Sequence, residues 1–373
     1  MSFKTITAAG IACAAGALLA ACSSGSAGTA PASSGGVPSS NVSAAVSNTV
    51  SQYLKEPDLN LPVLKSRPAS GKHLIYINNS AAPTTVTNGQ AFQAAAKTLG
   101  WTVSFLSYAG DDASLASAMQ QAIGDKPDGI VLSGEDQSDF ATTLAAADKA
   151  GIPVFDGGVA DTPTGTSGTG LSGVSLGTNF LQAEGKIAAD WIIQASGGSA
   201  DVAIVTLPDF NTLTTEDAAF TAELKAQCSK CTVSTINAQI SQIGNGLPQL
   251  VVSDLQSNPG VNYLFYPYGD MSIGVPAALT SAGIKVSSVA STASTGTYAD
   301  LKAGTMVMNL TASTQVQGWL EADLAARYFE TGQPVTNATV PIQILDKSDS
   351  SSPTLPVTPT NYEAQFEKAW QVG

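Results

Sequence analysis

The stretch Lys126–Gly158 (KPDGIVLSGEDQSDFATTLAAADKAGIPVFDGG) leaves this chain few folds to choose from. Gly129-Ile130-Val131-Leu132-Ser133 is a short apolar run rich in β-branched residues, bounded by Pro127-Asp128 in front and Gly134-Glu135 behind, and predicts a buried strand. From Asp136 the apolar period changes: Phe140, Leu144 and Ala147 share one helical face, and Gly151 stands where a C′ glycine stops a helix. Ile152-Pro153-Val154-Phe155 predicts a second strand, with Pro153 tolerated near its start. Strand, helix and parallel strand connect right-handed, as a βαβ unit. Ligands of such sheets sit past the carboxyl ends of the strands. Ser133, Glu135 and Asp156 are therefore candidates for one wall of a site.

The same grammar recurs on both sides. Before this stretch, Leu74–Ile77 predicts a strand running into Asn78-Asn79-Ser80, and Phe92, Ala95, Ala96 and Leu99 predict a helix ending at Gly100. Thr102–Leu106 predicts the next strand, and Leu115, Met119 and Ala122 the next helix. After a Gly/Thr-rich crossing at Asp161–Ser172 the pattern restarts, with strands predicted at Val202–Val205, Val233–Ile236, Tyr263–Tyr266 and Val340–Ile344. Asn258-Pro259-Gly260 introduces a strand in the second half as Lys126-Pro127-Asp128 does in the first. At 373 residues the chain exceeds one ordinary core and suits two domains of one α/β architecture. Trp101, Trp191 and Trp319 read as core, Val42–Leu54 as a short packed helix, and Tyr362–Trp370 as a last docking helix.

Residues 1–22 read as an export signal, with Lys4 ahead of an Ala/Leu/Ile-rich core. The segment closes on Leu19-Ala20-Ala21-Cys22, which resembles the bacterial lipobox and marks Cys22 for lipidation. Residues 23–41, rich in Ser, Gly, Ala and Pro, read as a disordered linker holding the body off a membrane.

Composition then excludes whole classes of function. A formal charge of −13, with no basic patch, argues against nucleic acid and anionic membrane surfaces as partners. One histidine, His73, beside a predicted strand and without a G-x-S-x-G elbow, supports neither a Ser-His-Asp triad nor a His-rich zinc site. Cys228 and Cys231 follow a helical run and precede a strand, the reverse of a redox C-x-x-C, so they read as a structural disulfide of an exported protein. Nothing calls for a cofactor or a metal.

Four segments, KPDGIVLS (126–133), KAGIPV (149–154), LGTN (176–179) and GDMSIGVPAAL (269–279), resemble type I periplasmic sugar-binding proteins of ABC importers, the ribose-binding-like family. The resemblance covers about Lys72 to Leu345, and with its N-terminal helix and C-x-x-C the chain looks most like the actinobacterial lipoprotein members. It implies two Rossmann-like lobes with parallel sheets joined by a three-segment hinge: residues 42–162 with 314–332 as the first lobe, and 163–313 with 333–373 as the second. It implies a monomeric, non-enzymatic receptor, lipid-anchored outside the cell membrane, that closes on a small polar ligand and feeds an ABC permease. The alternative is a receptor of the same fold coupled to a membrane signalling protein. A carboxylate glycosidase is disfavoured, since Glu135 and Glu216 fall in different lobes.

Several of the family's clamp positions depart from the pattern. Asp156 matches a ligand-contacting Asp, but the Arg after it is Gly157, a second Arg falls near Glu216, and an Asn is Gly269 beside a retained Asp270. A further Asp aligns near Thr292, the hinge Gln near Ala312, and Ser80-Ala81-Ala82-Pro83 stands where aromatic stackers are expected. The candidates are then the strand ends: Asn78, Asn79, Ser133, Glu135 and Asp156 on one side, and Phe210, Asn211, Glu216, Tyr268 and Thr292 on the other. Amides, hydroxyls and carboxylates suit a polyhydroxylated ligand, with Phe210 or Tyr268 to cover its apolar face.

Overall fold

The computed structural model describes residues 41–80, 83–158, 170–335 and 338–373, and they fall in one compact unit. The export segment, Cys22 and the linker up to Ser40 lie outside the described residues. Among the described residues no helix is long and apolar enough to cross a membrane.

The chain enters through α1 (Ala44–Tyr53), where the Ser43 side chain accepts from the Val46 N–H at the N-cap and Val46 and Val50 are buried. The first sheet then builds up by β-α alternation: β1 (His73–Asn79), α2 (Pro83–Thr98), β2 (Thr102–Tyr108), α3 (Asp112–Gly124), β3 (Gly129–Leu132), α4 (Ala141–Lys149), β4 (Val154–Asp156) and β5 (Gly173–Val174). All its pairings are parallel, in the order β2-β1-β3-β4-β5. Parallel strands covered on both faces need apolar residues at every position, and β3 is buried throughout. The strand period divides the sheet between two cores. Leu74, Tyr76 and Val131 face one way, and Ile75, Ile77 and Ile130 join Leu115, Met119 and Leu144 on the other.

The second sheet repeats the plan: α5 (Thr178–Ala195), β6 (Asp201–Thr206), α6 (Asn211–Gln227), β7 (Thr232–Asn237), α7 (Leu247–Ser257), β8 (Tyr263–Tyr266), α8 (Val275–Ala282), β9 (Ser287–Ala290), α9 (Thr295–Ala303) and β10 (Met308–Thr311). Helix α10 (Thr314–Thr331) returns to the first sheet, packing on α2. The chain then comes back as β11 (Gln343–Leu345), antiparallel to β10, and ends in α11 (Tyr362–Trp370). The order is β11-β10-β9-β8-β6-β7. Each lobe is thus a doubly wound α/β sheet. The order reverses between β1 and β3 in one lobe and between β6 and β8 in the other, which is where such sheets open a crevice.

Two glycines set how closely the helices approach. A Cβ on Gly318 of α10 would stand 2.5 Å from the Asn88 carbonyl oxygen of α2, and one on Gly185 of α5 would meet the Glu216 carbonyl of α6. Larger residues would force both helix pairs apart.

The chain passes between the two sheets at 175–177 and 312–313, and again between α10 and β11. The chain ends depart from the expected division. Helix α1, expected with the first lobe, packs on α5 of the second. Helix α11, expected with the second lobe, docks on α10 of the first: Trp370 stacks on Trp319, ring centroids 5.4 Å apart, and its Nε1 donates to Asp323 Oδ1 at 2.8 Å. Helix α1 buries Val46 and Val50, and α11 buries Phe366 and Trp370, in contacts between residues far apart in sequence, which chain order does not reveal.

Candidate functional site

The loops at the carboxyl ends of both sheets meet around a cavity of about 190 Å³. Helix α2 contributes Thr84, Thr85 and Asn88, and the loops after β3 and β4 contribute Ser133, Gly134 and Gly158. The second lobe brings Phe180 and Thr292, the connections bring Leu176 and Ala312, and α10 brings Thr314 and Gln317. Among the described residues no charged side chain lines it.

Its first-lobe wall is held by buried acids. Asp156, at the end of β4, is fully buried; its Oδ1 accepts from the backbone N–H of Glu135 (3.1 Å) and of Gly158 (3.2 Å). Asp156, expected to accept from ligand hydroxyls, uses Oδ1 to tie together the two loops that line the cavity, whose N–H groups would otherwise be unpaired, while its buried Oδ2 has no hydrogen-bond partner. Burial, then the neighbouring Glu135, raises its carboxyl well above the usual range. Glu135 sits half-buried beside it, and burial with Asp139 and Asp136 nearby pushes it up to about 8.

A second buried acid comes from the middle of α10. Glu321 Oε1 accepts from Asn88 Nδ2 (2.9 Å), Gln317 Nε2 (3.2 Å) and Ser175 Oγ (3.4 Å). Gln317 Nε2 also donates to the Gly157 carbonyl at 2.8 Å, and the single Ser175 hydroxyl proton is shared between that carbonyl, at 2.7 Å, and Glu321. Burial pushes the Glu321 carboxyl up to about 8 despite these donors. The Tyr76 hydroxyl is buried near Glu321 and Asp156 and is raised by burial and by both of them.

The second lobe mirrors this arrangement. Glu216 of α6 is buried and accepts from Ser291 Oγ at 2.5 Å, and Glu184 of α5 accepts from the backbone N–H of Thr292. Burial raises both, Glu184 to about 8, and Glu184 adds to the rise of Glu216. Thr292 holds φ at +52° and is exposed to the cavity. Across the cleft the Tyr268 hydroxyl donates to Asp270 Oδ2 (2.9 Å) and shares a hydrogen bond with Thr84 of α2.

Of the ten strand-end candidates, only Ser133 and Thr292 line the cavity. Asn79 stands behind it, its N–H donating to Ser133 Oγ at 3.2 Å, and Asn78 accepts from Ser107 at the β1–β2 edge. Glu135, Asp156 and Glu216 support loops, Tyr268 bridges the lobes, and Phe210 and Asn211 stand exposed at the start of α6. Strand ends do not point to Asn88, Gln317 or Glu321, which sit on helices. Their one sequence signal is an amide and an acid four residues apart, among the apolar Val316, Leu320 and Leu324. Cys228 and Cys231 lie between α6 and β7 with Cα atoms 5.4 Å apart, within disulfide span. Among the described residues no cluster of His, Cys, Asp and Glu is arranged to hold a metal.

A family model described as a periplasmic binding protein domain matches residues 76–334. An ABC transporter solute-binding protein from Agrobacterium vitis, solved with α-D-tagatopyranose bound, superposes with a TM-score of 0.66 at 21% identity, covering 76% of this chain and 97% of its own. A periplasmic ribose ABC transporter protein from Conexibacter woesei gives 0.64 at 19% identity over 77% and 95%. A second Agrobacterium vitis solute-binding protein, with allitol bound, gives 0.66 at 16% over 75% and 97%. At these identities the likeness is one of fold. Curated protein sequences gave no match.

Proposed function

Because the chain belongs to the periplasmic binding protein domain family, whose model spans most of it, we propose that it is an extracytoplasmic receptor delivering a sugar or polyol to an ABC importer. Its family and structural neighbours are binding proteins, not enzymes. The observation that carries the reading is the cavity itself: about 190 Å³, walled by both lobes, and lined by hydroxyls and amides with Phe180 among them. That is small beside the ~300–1,000 Å³ of drug-sized pockets and suits a monosaccharide-sized molecule. The ligand bridges the two walls and stabilises the closed form through contacts that neither lobe offers alone. In this reading Cys22, diacylated, anchors the monomer outside the membrane, the linker gives it reach, and Cys228–Cys231 is a structural disulfide.

The test is a thermal-shift screen of the purified protein against D-tagatose, D-ribose, allitol and a wide set of neutral sugars and polyols. At about a hundred times its Kd a ligand stabilises by about 2.7 kcal/mol. Small-angle scattering should show compaction with the same compound. A panel that moves neither stability nor scattering would overturn the reading.

A further inference from the structure

The amides at the cavity wall are not free to turn. Both N–H bonds of Gln317 Nε2 are directed backwards, to the Gly157 carbonyl at 2.8 Å and to Glu321 Oε1 at 3.2 Å. Asn88 Nδ2 likewise donates to Glu321 Oε1 at 2.9 Å, while its Oδ1 is buried with no hydrogen-bond partner. What remains of the Gln317 amide is its acceptor oxygen, and Asn88 is left with its unpartnered Oδ1 beside its second N–H; both residues line the cavity. The strand ends withhold donors in the same way, since Asp156 takes the N–H groups of Glu135 and Gly158. The titratable groups behind the walls, Glu135, Asp156, Glu184, Glu216 and Glu321, are acids that burial holds toward their protonated form.

Resting on the sugar-binding reading above, we infer that Glu321 is a positioning residue that locks the Asn88 and Gln317 amides with their oxygens toward the ligand. The cavity thereby selects neutral molecules whose hydroxyls donate, and rejects sugar acids and sugar phosphates. An anion at this wall would face amide oxygens with only neutral hydroxyl donors and, among the described residues, no lining cation to offset them, an arrangement that specifies against the wrong ligand as well as for the right one. The carboxyl of Glu321, held up to about 8 by burial, stays protonated and uncharged near neutral pH, so its glutamine replacement reproduces its shape and its accepting oxygen.

The test compares the parent, Glu321→Gln and Glu321→Leu. Calorimetry pairs neutral probes (D-tagatose, D-ribose, allitol) with D-galactonate and ribose 5-phosphate. The side-chain amide signals of Asn88 and Gln317 are followed by ¹⁵N NMR in the unliganded protein. The parent should prefer the neutral probes by about a hundredfold or more, Glu321→Gln should retain that preference, and Glu321→Leu should erode it by about tenfold. The two amide signals should be protected from exchange in the parent and in Glu321→Gln, and lose protection in Glu321→Leu. Anions binding the parent as well as neutral sugars do, or amide signals unprotected in the parent, overturn the inference. Should Glu321→Leu not fold, parent selectivity and parent amide protection still decide it. If no neutral sugar or polyol binds, the sugar-binding reading fails, and the amide signals still report on Glu321.

Discussion

Replacing Glu321 by glutamine should flatten the dependence of stability on pH. The side chain is fully buried, and burial lifts its carboxyl from 4.5 to about 8, with Asn88, Gln317 and Ser175 offsetting only part of the rise. An acid whose folded pKa lies above its unfolded value holds its proton more tightly when folded. The stability this contributes is fully present below the unfolded pKa and is lost as the pH rises through the folded one. Between 4.5 and about 8 the change is bounded by about 5 kcal/mol, taking about 1.4 kcal/mol per unit. Glutamine does not titrate. The unfolding free energy of the parent minus that of Glu321→Gln should therefore fall by several kcal/mol between about pH 5 and about pH 8.5, measured by urea denaturation at fixed ionic strength. Asp156 and Tyr76 face Glu321 electrostatically, so the comparison is repeated in an Asp156→Asn background. A difference that stays level across this range, or grows with pH, would refute the reasoning.

Gly157→Ala places a Cβ 2.7 Å from the Ser133 carbonyl oxygen and 2.9 Å from Glu321 Oε1, so backbone must move. Such overpacking costs about 1–3 kcal/mol and should lower Tm by a few degrees in calorimetry. Asp156→Ala should destabilise the unliganded protein by about 1–3 kcal/mol through two unpaired N–H groups; an unchanged melting temperature would contradict its loop-tying role. Non-reducing intact mass should find Cys228 and Cys231 oxidised, and two free thiols would sink the staple. Cys22→Ser should release the protein from the membrane fraction, and a parent without acyl mass would rule out the anchor.

The frame was legible because its punctuation is local. Gly100 and Gly151 stop helices at φ of +76° and +72°, and the run at Gly129–Leu132 is apolar at every position, as a doubly covered parallel strand demands. The site was legible only at its strand ends. Ser133 and Thr292 reach the cavity from them, but Asn88 and Gln317 come from helices, Gln317 from the first turn of α10. What aligns those two is the approach of α10 to α2 at Gly318, a contact between residues far apart in sequence. Asp156 carried the expected chemistry at the expected place, yet two loop N–H groups claimed one of its oxygens and left the other without a partner.

The two lobes solve one problem in the same way. In each, a glycine lets two helices touch, Gly318 against α2 and Gly185 against α6, and a carboxyl beside that contact is buried. Each carboxyl then holds part of the cavity wall: Glu321 through Asn88 and Gln317, Glu184 and Glu216 through Thr292 and Ser291. A guanidinium after β4 has no place in this design, because even a methyl at Gly157 meets the Ser133 carbonyl. A cleft built without a cationic clamp must orient its ligand through acceptors and hydroxyls, and the carboxyls fixing them must stay largely protonated to remain buried. Acid conditions therefore favour the same arrangement that shapes the cavity: stability should decline as the pH rises toward about 8, and ligand affinity should weaken as the carboxyls ionise through that value.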